Sequence, residues 1–296
     1  MTVNALREAL RHALAFLADA QKADGGFRLA FSSSQSLQRA SDVASPFAAA
    51  IVLLALDGVA GVSPQLRARA IAHLISKREK NGLIRFCDFP IEPDYDDICL
   101  IHSLLQDANV ALDYRRIARR VASARGDDDL FPTWVGSGSP RDVDPIVNVN
   151  IVRFLDRNGI DCTTTVARLR TIVAQKWNAR EGTRYYTPPA SLPWMISTLP
   201  TRLRAQLADG DHSALCAKLA TTPPLSPLDR AMRVICLNRL GGAERPPIAL
   251  LAPLLDAQQR DGGWPADAFF CGDRFWGSRE LTTAVAVSAL SSCDGE

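Results

Sequence analysis

Three carboxylic acids lie close together in the segment Glu92-Pro-Asp-Tyr-Asp-Asp-Ile-Cys99, as Asp94, Asp96 and Asp97. A helix is predicted to run through Leu100 to Leu105, and Asp94 or Asp96 is placed to cap its start. Acids within one turn repel one another as anions, and burial acts in the same direction, so at least one should have a raised pKa. The positive end of the helix opposes both effects because it favours carboxylate. The segment therefore suits either a general acid or an ordinary helix cap.

Two amides and a set of aromatic rings are the other side chains suited to a binding site. Asn148 and Asn150 interrupt the otherwise apolar helix predicted from Pro145 to Leu155, and they either bond neighbouring helices or face a polar cavity. Rings stand just before predicted buried helices or in their first turn, where they line an apolar pocket or pack between repeats: Trp134, Tyr185, Tyr186, Trp194, Phe275 and Trp276. The run Asp127-Asp128-Asp129 is expected to be a solvated loop.

Two kinds of helix alternate along the chain and must position these residues. Stretches with an apolar residue every three or four positions, such as Leu6 to Leu17, predict amphipathic helices with one solvent-exposed face. Phe47 to Val59, Pro145 to Leu155 and Leu281 to Leu290 are apolar nearly all round, which predicts burial on every side. About six buried helices begin at intervals of roughly 35 to 52 residues, a spacing typical of repeated helix pairs. We therefore predict an all-α fold, a closed (α/α)6 double ring of inner and outer helices, as a single domain over residues 1–296.

Composition argues against several classes of protein. The 296 residues carry 34 basic and 32 acidic side chains, and this near balance argues against nucleic-acid binding, which needs uncompensated Lys and Arg. The seven cysteines form no CxxC pair, which favours free thiols in a reducing compartment over a structural zinc site. Neither a signal peptide nor an apolar run of membrane-spanning length is evident. We expect a cytoplasmic protein with no membrane span.

Two segments, one near each end of the chain, carry the same pattern. Gln21-Lys-Ala-Asp-Gly-Gly-Phe27 and Gln258-Gln-Arg-Asp-Gly-Gly-Trp264 each follow an amphipathic helix. The pattern resembles the QW repeats of the terpene cyclase and prenyltransferase α/α-toroid superfamily. The acidic segment Asp94-Tyr-Asp-Asp97 resembles the DxDD motif of class II terpene cyclases, such as the β-domain of squalene-hopene-type cyclases.

The resemblance implies a chemistry, a substrate class and a site. Class II cyclases protonate an alkene or epoxide to start a carbocation cascade, so Asp96 would be the proton donor, with Asp94 and Asp97 supporting it. The substrate would be a small isoprenoid or isoprenoid-bearing molecule. Its binding residues would be Tyr95, Trp134, Asn148, Tyr185, Tyr186, Trp194 and Trp276.

The sequence also departs from the family pattern. Ile98-Cys99 follows the acids where the cyclases usually have Thr-Ala, and the chain has room for one helical domain where larger enzymes have two. We therefore expect a substrate smaller than a triterpene precursor, or a second copy or a partner protein that completes the cavity. No redox cofactor and no metal site are expected, and magnesium enters only if the substrate carries a diphosphate.

Three alternatives remain open at this stage. A zinc-dependent prenyltransferase needs an Asp, Cys and His triad, and no credible triad is evident, because the last histidine, His212, precedes both Cys236 and Cys271. A glycosidase or lyase on an (α/α)6 barrel would use two carboxylates, such as Asp96 and Asp144, across a sugar. A non-catalytic toroid would bind an isoprenoid or a protein and use the acids only as a cap.

Overall fold

Helices that are buried along most of their length form the inside of the molecule. The computed structural model describes residues 3–136, 142–176, 182–207, 212–241 and 248–293. Within these ranges the inner helices are α2 (Pro46–Ala55), α4 (Tyr95–Asp107), α6 (Pro145–Arg157), α8 (Ser191–Ser197), α11 (Pro227–Gly241) and α13 (Arg279–Ser291). Each contacts the next in this order, and α13 contacts α2, so the inner helices form a closed cycle.

The other helices pack outside this cycle. They are α1 (Val3–Ala20), α3 (Pro64–Ser76), α5 (Tyr114–Ala122), α7 (Thr163–Gln175), α9 (Thr201–Leu207), α10 (Ser213–Thr221) and α12 (Ile248–Asp256). Each buries one stripe of apolar side chains, as Leu6 and Leu17 do in α1, and exposes its polar face. The predicted alternation of half-exposed and buried helices is therefore present in the structure. No helix in the described ranges has the length and apolarity to span a membrane.

The loops after four outer helices, α1, α3, α5 and α12, share one backbone geometry. Each loop has five residues. The backbone N–H of the first residue donates to the carbonyl oxygen of the fifth, and the N–H of the fourth donates to the carbonyl oxygen of the first, with N···O distances of 2.8–3.0 Å. An Asp or Asn side chain at the third position accepts from the fifth N–H. The fourth residue has a φ of 65 to 90°. The loops cover residues 22–26, 79–83, 126–130 and 259–263.

The first and last of these loops are the two predicted repeat segments, and the middle two were missed. In the third loop Asp128 is the side chain that accepts, and Asp129 takes the left-handed position with φ 65°. The acidic run Asp127 to Asp129 is thus a copy of the repeat loop rather than only a solvated connection. It was missed because Asp129 and Leu130 replace the two glycines of the pattern. Asp can take the left-handed conformation that the fourth position requires, so the loop keeps its geometry without glycine.

Glutamine side chains tie each predicted repeat loop to the next outer helix. The Gln21 side-chain amide donates to the carbonyl oxygens of Gly25 (2.9 Å) and of Leu66 in α3 (3.0 Å). The Gln258 amide donates to those of Gly262 and of Ala9 in α1, both at 2.9 Å. The second bond runs from the last repeat back to the first helix and so joins the two ends of the chain.

A small sheet corrects the prediction of an all-helical chain. Strands β1 (Arg28–Ser32), β2 (Ser41–Ala44), β3 (Asp267–Cys271) and β4 (Phe275–Ser278) pair antiparallel in the order β2-β1-β4-β3. Each strand has only four or five residues, too few for a period of two to stand out in a sequence. Because β1 follows the first repeat loop and β4 precedes α13, the sheet also joins the first and last repeats.

Candidate active site

A short backbone bridge holds the acidic segment in place at the start of α4. Asp94 and Trp134 face each other across an antiparallel bridge, flanked by hydrogen bonds from the Tyr95 N–H to the Thr133 carbonyl (2.8 Å) and from the Val135 N–H to the Pro93 carbonyl (2.9 Å). The Asp94 carboxylate caps α4 by accepting from the Asp97 N–H at 2.7 Å. The cap function is therefore carried by Asp94, which leaves Asp96 free for other contacts.

Asp96 is the acid with the most specific surroundings. Its side chain is buried, at 7% exposure, and each carboxyl oxygen accepts one hydrogen bond from a neutral donor. The Asn150 amide of α6 donates to Oδ1 at 2.7 Å, and the Tyr186 hydroxyl donates to Oδ2 at 2.5 Å. Both donors belong to later repeats than Asp96, so three consecutive repeats define the environment of this carboxyl.

Burial raises the pKa values of all three acids, but unequally. Burial raises the pKa of Asp96 to about 6, and the bonds from Tyr186 and Asn150 limit that rise. Burial and the charge of Asp96 raise the pKa of Asp94 to about 8. Burial and the two neighbouring acids hold the pKa of Asp97 well above its ordinary range. Neither Asp97 oxygen has a hydrogen-bond partner among the described residues. The cluster therefore retains protons near neutral pH, and Asp96 is the strongest acid in it.

Asp144, at the start of α6, positions the segment that carries Tyr186. One oxygen caps α6 through the Ile146 N–H at 2.8 Å. The other accepts from the Thr183 hydroxyl at 2.6 Å and from the Arg184 and Tyr185 N–H groups at 2.7 and 3.3 Å. On its far side the same segment is bonded to β3. Asp144 is therefore an anchor for the tyrosine that bonds Asp96, and its own oxygens are already occupied.

The acids line an inner chamber of about 90 Å³ that adjoins an outer chamber of about 780 Å³. The two chambers share five lining residues, namely Ile91, Trp134, Tyr185, Cys271 and Trp276. Small-molecule pockets usually measure about 300–1,000 Å³, so the outer chamber has the volume of a ligand site and the inner one does not. A ligand that reaches the acids must therefore place only one end in the inner chamber. Arg184, Asp273 and Arg274 line the outer chamber.

Aromatic rings form much of the wall between the acids and the outer chamber. Phe270 lies 5.1 Å from the Tyr186 ring and 5.1 Å from Phe47, and Phe86 lies 5.3 Å from Trp276, measured between ring centroids. Sequence reasoning missed the three phenylalanines. Phe47 carried a usable signal, because it lies in the first turn of a buried helix behind Ser45-Pro46, the same position that selected the other rings. Phe86 and Phe270 lie in a loop and a short strand, where no pattern marks them.

The structure brings some of the predicted binding residues to the chambers and places others elsewhere. Trp134, Tyr185, Tyr186 and Trp276 line them. The Asn148 amide instead bonds the Phe131 backbone N–H (2.8 Å) and carbonyl (3.0 Å), while Asn150 is the amide that bonds Asp96. Trp194, at 1% exposure, packs against Phe269. Tyr95 lines a separate groove. Within the described residues no group of three or more His, Cys, Asp or Glu side chains is arranged to hold a metal ion.

Comparison with known proteins agrees with this architecture. No protein-family model matches the chain. A drimenol cyclase, drtB from Aspergillus calidoustus, is 30% identical over 179 residues, which cover 58% of this chain and 33% of that protein. The chain thus matches about a third of the length of this relative.

Solved structures align along much more of the chain. The type II terpene cyclase MstE from Scytonema aligns with a TM-score of 0.76 at 15% identity over 98% of both chains. The ent-copalyl diphosphate synthase from Streptomyces platensis aligns with a TM-score of 0.63 at 15% identity, over 83% of this chain and 50% of that one. An MstE variant in complex with geranylgeranyl dihydroxybenzoate aligns with a TM-score of 0.72. This chain therefore has the fold of the type II terpene cyclases.

Proposed function

We propose that this protein is a class II terpene cyclase in which Asp96 protonates an alkene or epoxide of a small isoprenoid or isoprenoid-bearing substrate. One observation carries the proposal: a buried carboxyl with a neutral donor on each oxygen lies in a chamber walled by aromatic rings. Donors that favour the carboxylate make the protonated form a stronger acid, which protonation of carbon requires. A helix cap needs none of these features.

The chemistry follows from the arrangement. The Asp96 O–H proton bonds to one alkene carbon with the two π electrons, and the other carbon becomes cationic while Asp96 is left as carboxylate. The Asn150 and Tyr186 bonds stabilise that carboxylate as it forms. A second alkene of the substrate attacks the cation and forms a carbon–carbon bond. Loss of a neighbouring C–H proton to solvent, or addition of water followed by loss of one of its protons to solvent, neutralises the cation. A proton taken up from solvent then restores Asp96 to its acid form.

The remaining residues support this step. Aromatic faces stabilise a cation within about 6 Å, and Tyr186, Phe270, Phe47 and Trp276 supply such faces along the wall. Because the inner chamber is small, the terminal isoprene unit would enter it while the head group stays in the outer chamber. Asp94 and Asp97 would remain protonated and so avoid placing a second anion beside the developing Asp96 carboxylate.

We also infer the finer architecture and setting of the enzyme. The closed cycle of inner helices supports an (α/α)6 toroid in which residues 1–296 make up one domain. The open outer chamber is compatible with completion by a second copy or a partner protein. The enzyme is proposed to act in the cytoplasm without a redox cofactor, with magnesium required only for a diphosphate substrate. Asp144 supports no sugar chemistry, because four donors already occupy its carboxylate.

The test is incubation with farnesyl- and geranylgeranyl-type substrates, with and without a diphosphate, followed by mass spectrometry of the products. Asp96→Asn should lower product formation by about 10³-fold, within the usual range for loss of a general acid. Asp127→Asn removes an exposed carboxylate outside the chambers and should leave the rate unchanged. Folded wild-type protein that binds these isoprenoids, forms no product and binds them equally well as Asp96→Asn would contradict the proposal in favour of a non-catalytic toroid.

A further inference from the structure

A second cavity, the basic groove, lies on the opposite face of the bridge that carries Asp94. Side chains alternate between the two faces of an antiparallel pair. Asp94 and Trp134 line the inner chamber, whereas their neighbours Tyr95 and Val135 line the groove, which has a volume of about 240 Å³. The groove is thus separated from the acids by the thickness of one backbone bridge.

The groove has an apolar floor. Tyr95 and Ile98 of α4 and Val121 of α5 are buried there. The partly buried side chains that complete the apolar lining are Leu83, Leu112, Ile117 and Val135. A floor of this kind binds hydrocarbon rather than a bare inorganic ion.

The rim of the groove is strongly basic. Arg78, Lys80, Arg116 and Arg120 line it, and none of them forms an ion pair with a described residue. The one carboxylate in the lining, Asp113, is already used to cap α5 through the Arg116 N–H at 3.0 Å. Arg116 and Arg120 are one helical turn apart, where like charges repel and destabilise the helix. The near balance of charge over the whole chain therefore conceals a local excess of positive charge, with four basic side chains and one carboxylate in the groove lining.

We propose that the basic groove binds an anionic amphiphile, with a phosphate or diphosphate among the four cations and a short apolar group on the floor. Guanidinium groups match phosphate oxygens in paired hydrogen bonds, and desolvation over an apolar floor strengthens them. The volume lies below the usual range of about 300–1,000 Å³, which limits the apolar part to a short chain such as one isoprene unit. This site is independent of the proposed cyclisation, since its binding needs no turnover.

The experiment uses calorimetric titration of the full chain with dimethylallyl diphosphate. Arg116→Gln/Arg120→Gln should weaken binding at least tenfold. The matched variant Arg115→Gln/Arg119→Gln removes the same charge from the same helix outside the groove lining and should change the Kd less than threefold. Equal losses in the two variants would overturn the site, because they would indicate unspecific attraction to a basic helix.

Two further titrations separate the parts of the proposal. Inorganic diphosphate should bind at least tenfold more weakly than dimethylallyl diphosphate, and equal binding would refute the role of the apolar floor. Asp96→Asn should bind the probe as wild type does in the groove. Loss of binding in that variant would instead place the ligand in the inner chamber and contradict the second site.

Discussion

Replacing Tyr186 by phenylalanine removes one hydroxyl and tests whether the surroundings of Asp96 set its acidity. The Tyr186 ring packs against Phe270, and phenylalanine can keep that contact. What is lost is the hydrogen bond from the hydroxyl to Asp96 Oδ2. The Asn150 bond to the other oxygen remains, so the variant weakens the acid without abolishing its environment.

The expected magnitude follows from the strength of a hydrogen bond to a charged group. Such a bond contributes about 1.5–3 kcal/mol, and one pKa unit corresponds to about 1.4 kcal/mol. The pKa of Asp96, raised to about 6 by burial in the native protein, should therefore rise further by about 1–2 in Tyr186→Phe. Since negative charge develops on Asp96 in the transition state, the maximal rate should fall by up to about 10- to 100-fold.

The assay is kcat/KM against pH, with product measured by mass spectrometry. Only protonated Asp96 can donate, so activity is highest at low pH and falls as the pH rises through the pKa of the acid. The midpoint should lie near pH 6 in the native enzyme and about 1–2 higher in Tyr186→Phe, with a lower plateau. Tyr185→Phe is the matched control, because its hydroxyl bonds Asp142 instead and its loss should leave the midpoint in place. A midpoint that stays or moves down in Tyr186→Phe would refute the assignment of Asp96 as the acid.

Three further predictions concern stability and positioning. Gly25 has a φ of 86°, and a Cβ at this position would lie 2.1 Å from a carbonyl oxygen of α3, so Gly25→Ala should lower the free energy of unfolding in urea by roughly 3 kcal/mol. The control Gly58→Ala, at a φ of 71° with open space around it, should lower it by only about 1–2 kcal/mol. The free energy of unfolding should fall as the pH rises from about 4 to about 8, because burial raises the folded-state pKa values of the clustered acids and the unfolded chain releases its protons first. Calorimetry over this pH range should show that the free energy of unfolding of Asp97→Asn depends less steeply on pH than that of the native protein. An unchanged slope would contradict the raised pKa of Asp97. Asp144→Asn should lower the free energy of unfolding by about 1–3 kcal/mol, because Asp144 bonds the segment that carries Tyr186. Since Asp144 positions Tyr186, the pH midpoint of kcat/KM should also move upward, as in Tyr186→Phe. A change in stability alone would show that Asp144 has only a structural role.

The helical part of the fold was predictable because burial leaves a direct trace in helix patterns. A helix without a polar face, such as Pro46–Ala55, must be enclosed, and several such helices in one chain require a closed arrangement. The sheet left no comparable trace. Its strands owe their conformation to pairing between segments near residues 30 and 277, and such long-range pairing is not written in either segment alone.

The candidate site was predictable in its acids and only partly in their partners. The spacing of Asp94, Asp96 and Asp97 placed them on one helix start, which the structure bears out. Of the two amides of one helix, Asn148 was predicted as a binding residue and Asn150 was not. In the structure Asn148 holds a backbone loop and Asn150 bonds Asp96. Their difference depends on how α6 is rotated against α4, and packing between helices sets that rotation.

The acidity of Asp96 depends on the assembled ring of inner helices and not only on the segment Asp94 to Asp97. An isolated segment with these acids would hold ordinary, solvated carboxylates at a helix start, where the positive end of the helix keeps them ionised. Burial supplies the opposing effect, and it is complete only when α6 and the segment before α8 close over the start of α4. The same packing brings the Asn150 amide and the Tyr186 hydroxyl within hydrogen-bond distance of the Asp96 carboxyl. Bonds that join the ends of the ring, such as that from Gln258 to Ala9, therefore support the site only by stabilising the closed ring, and they do not change the surroundings of Asp96 once the ring is closed. Gln258→Ala should accordingly lower stability by about 1 kcal/mol while leaving the pH midpoint of the folded enzyme unchanged, because a closed ring holds the same two donors whether or not this bond contributes to closing it.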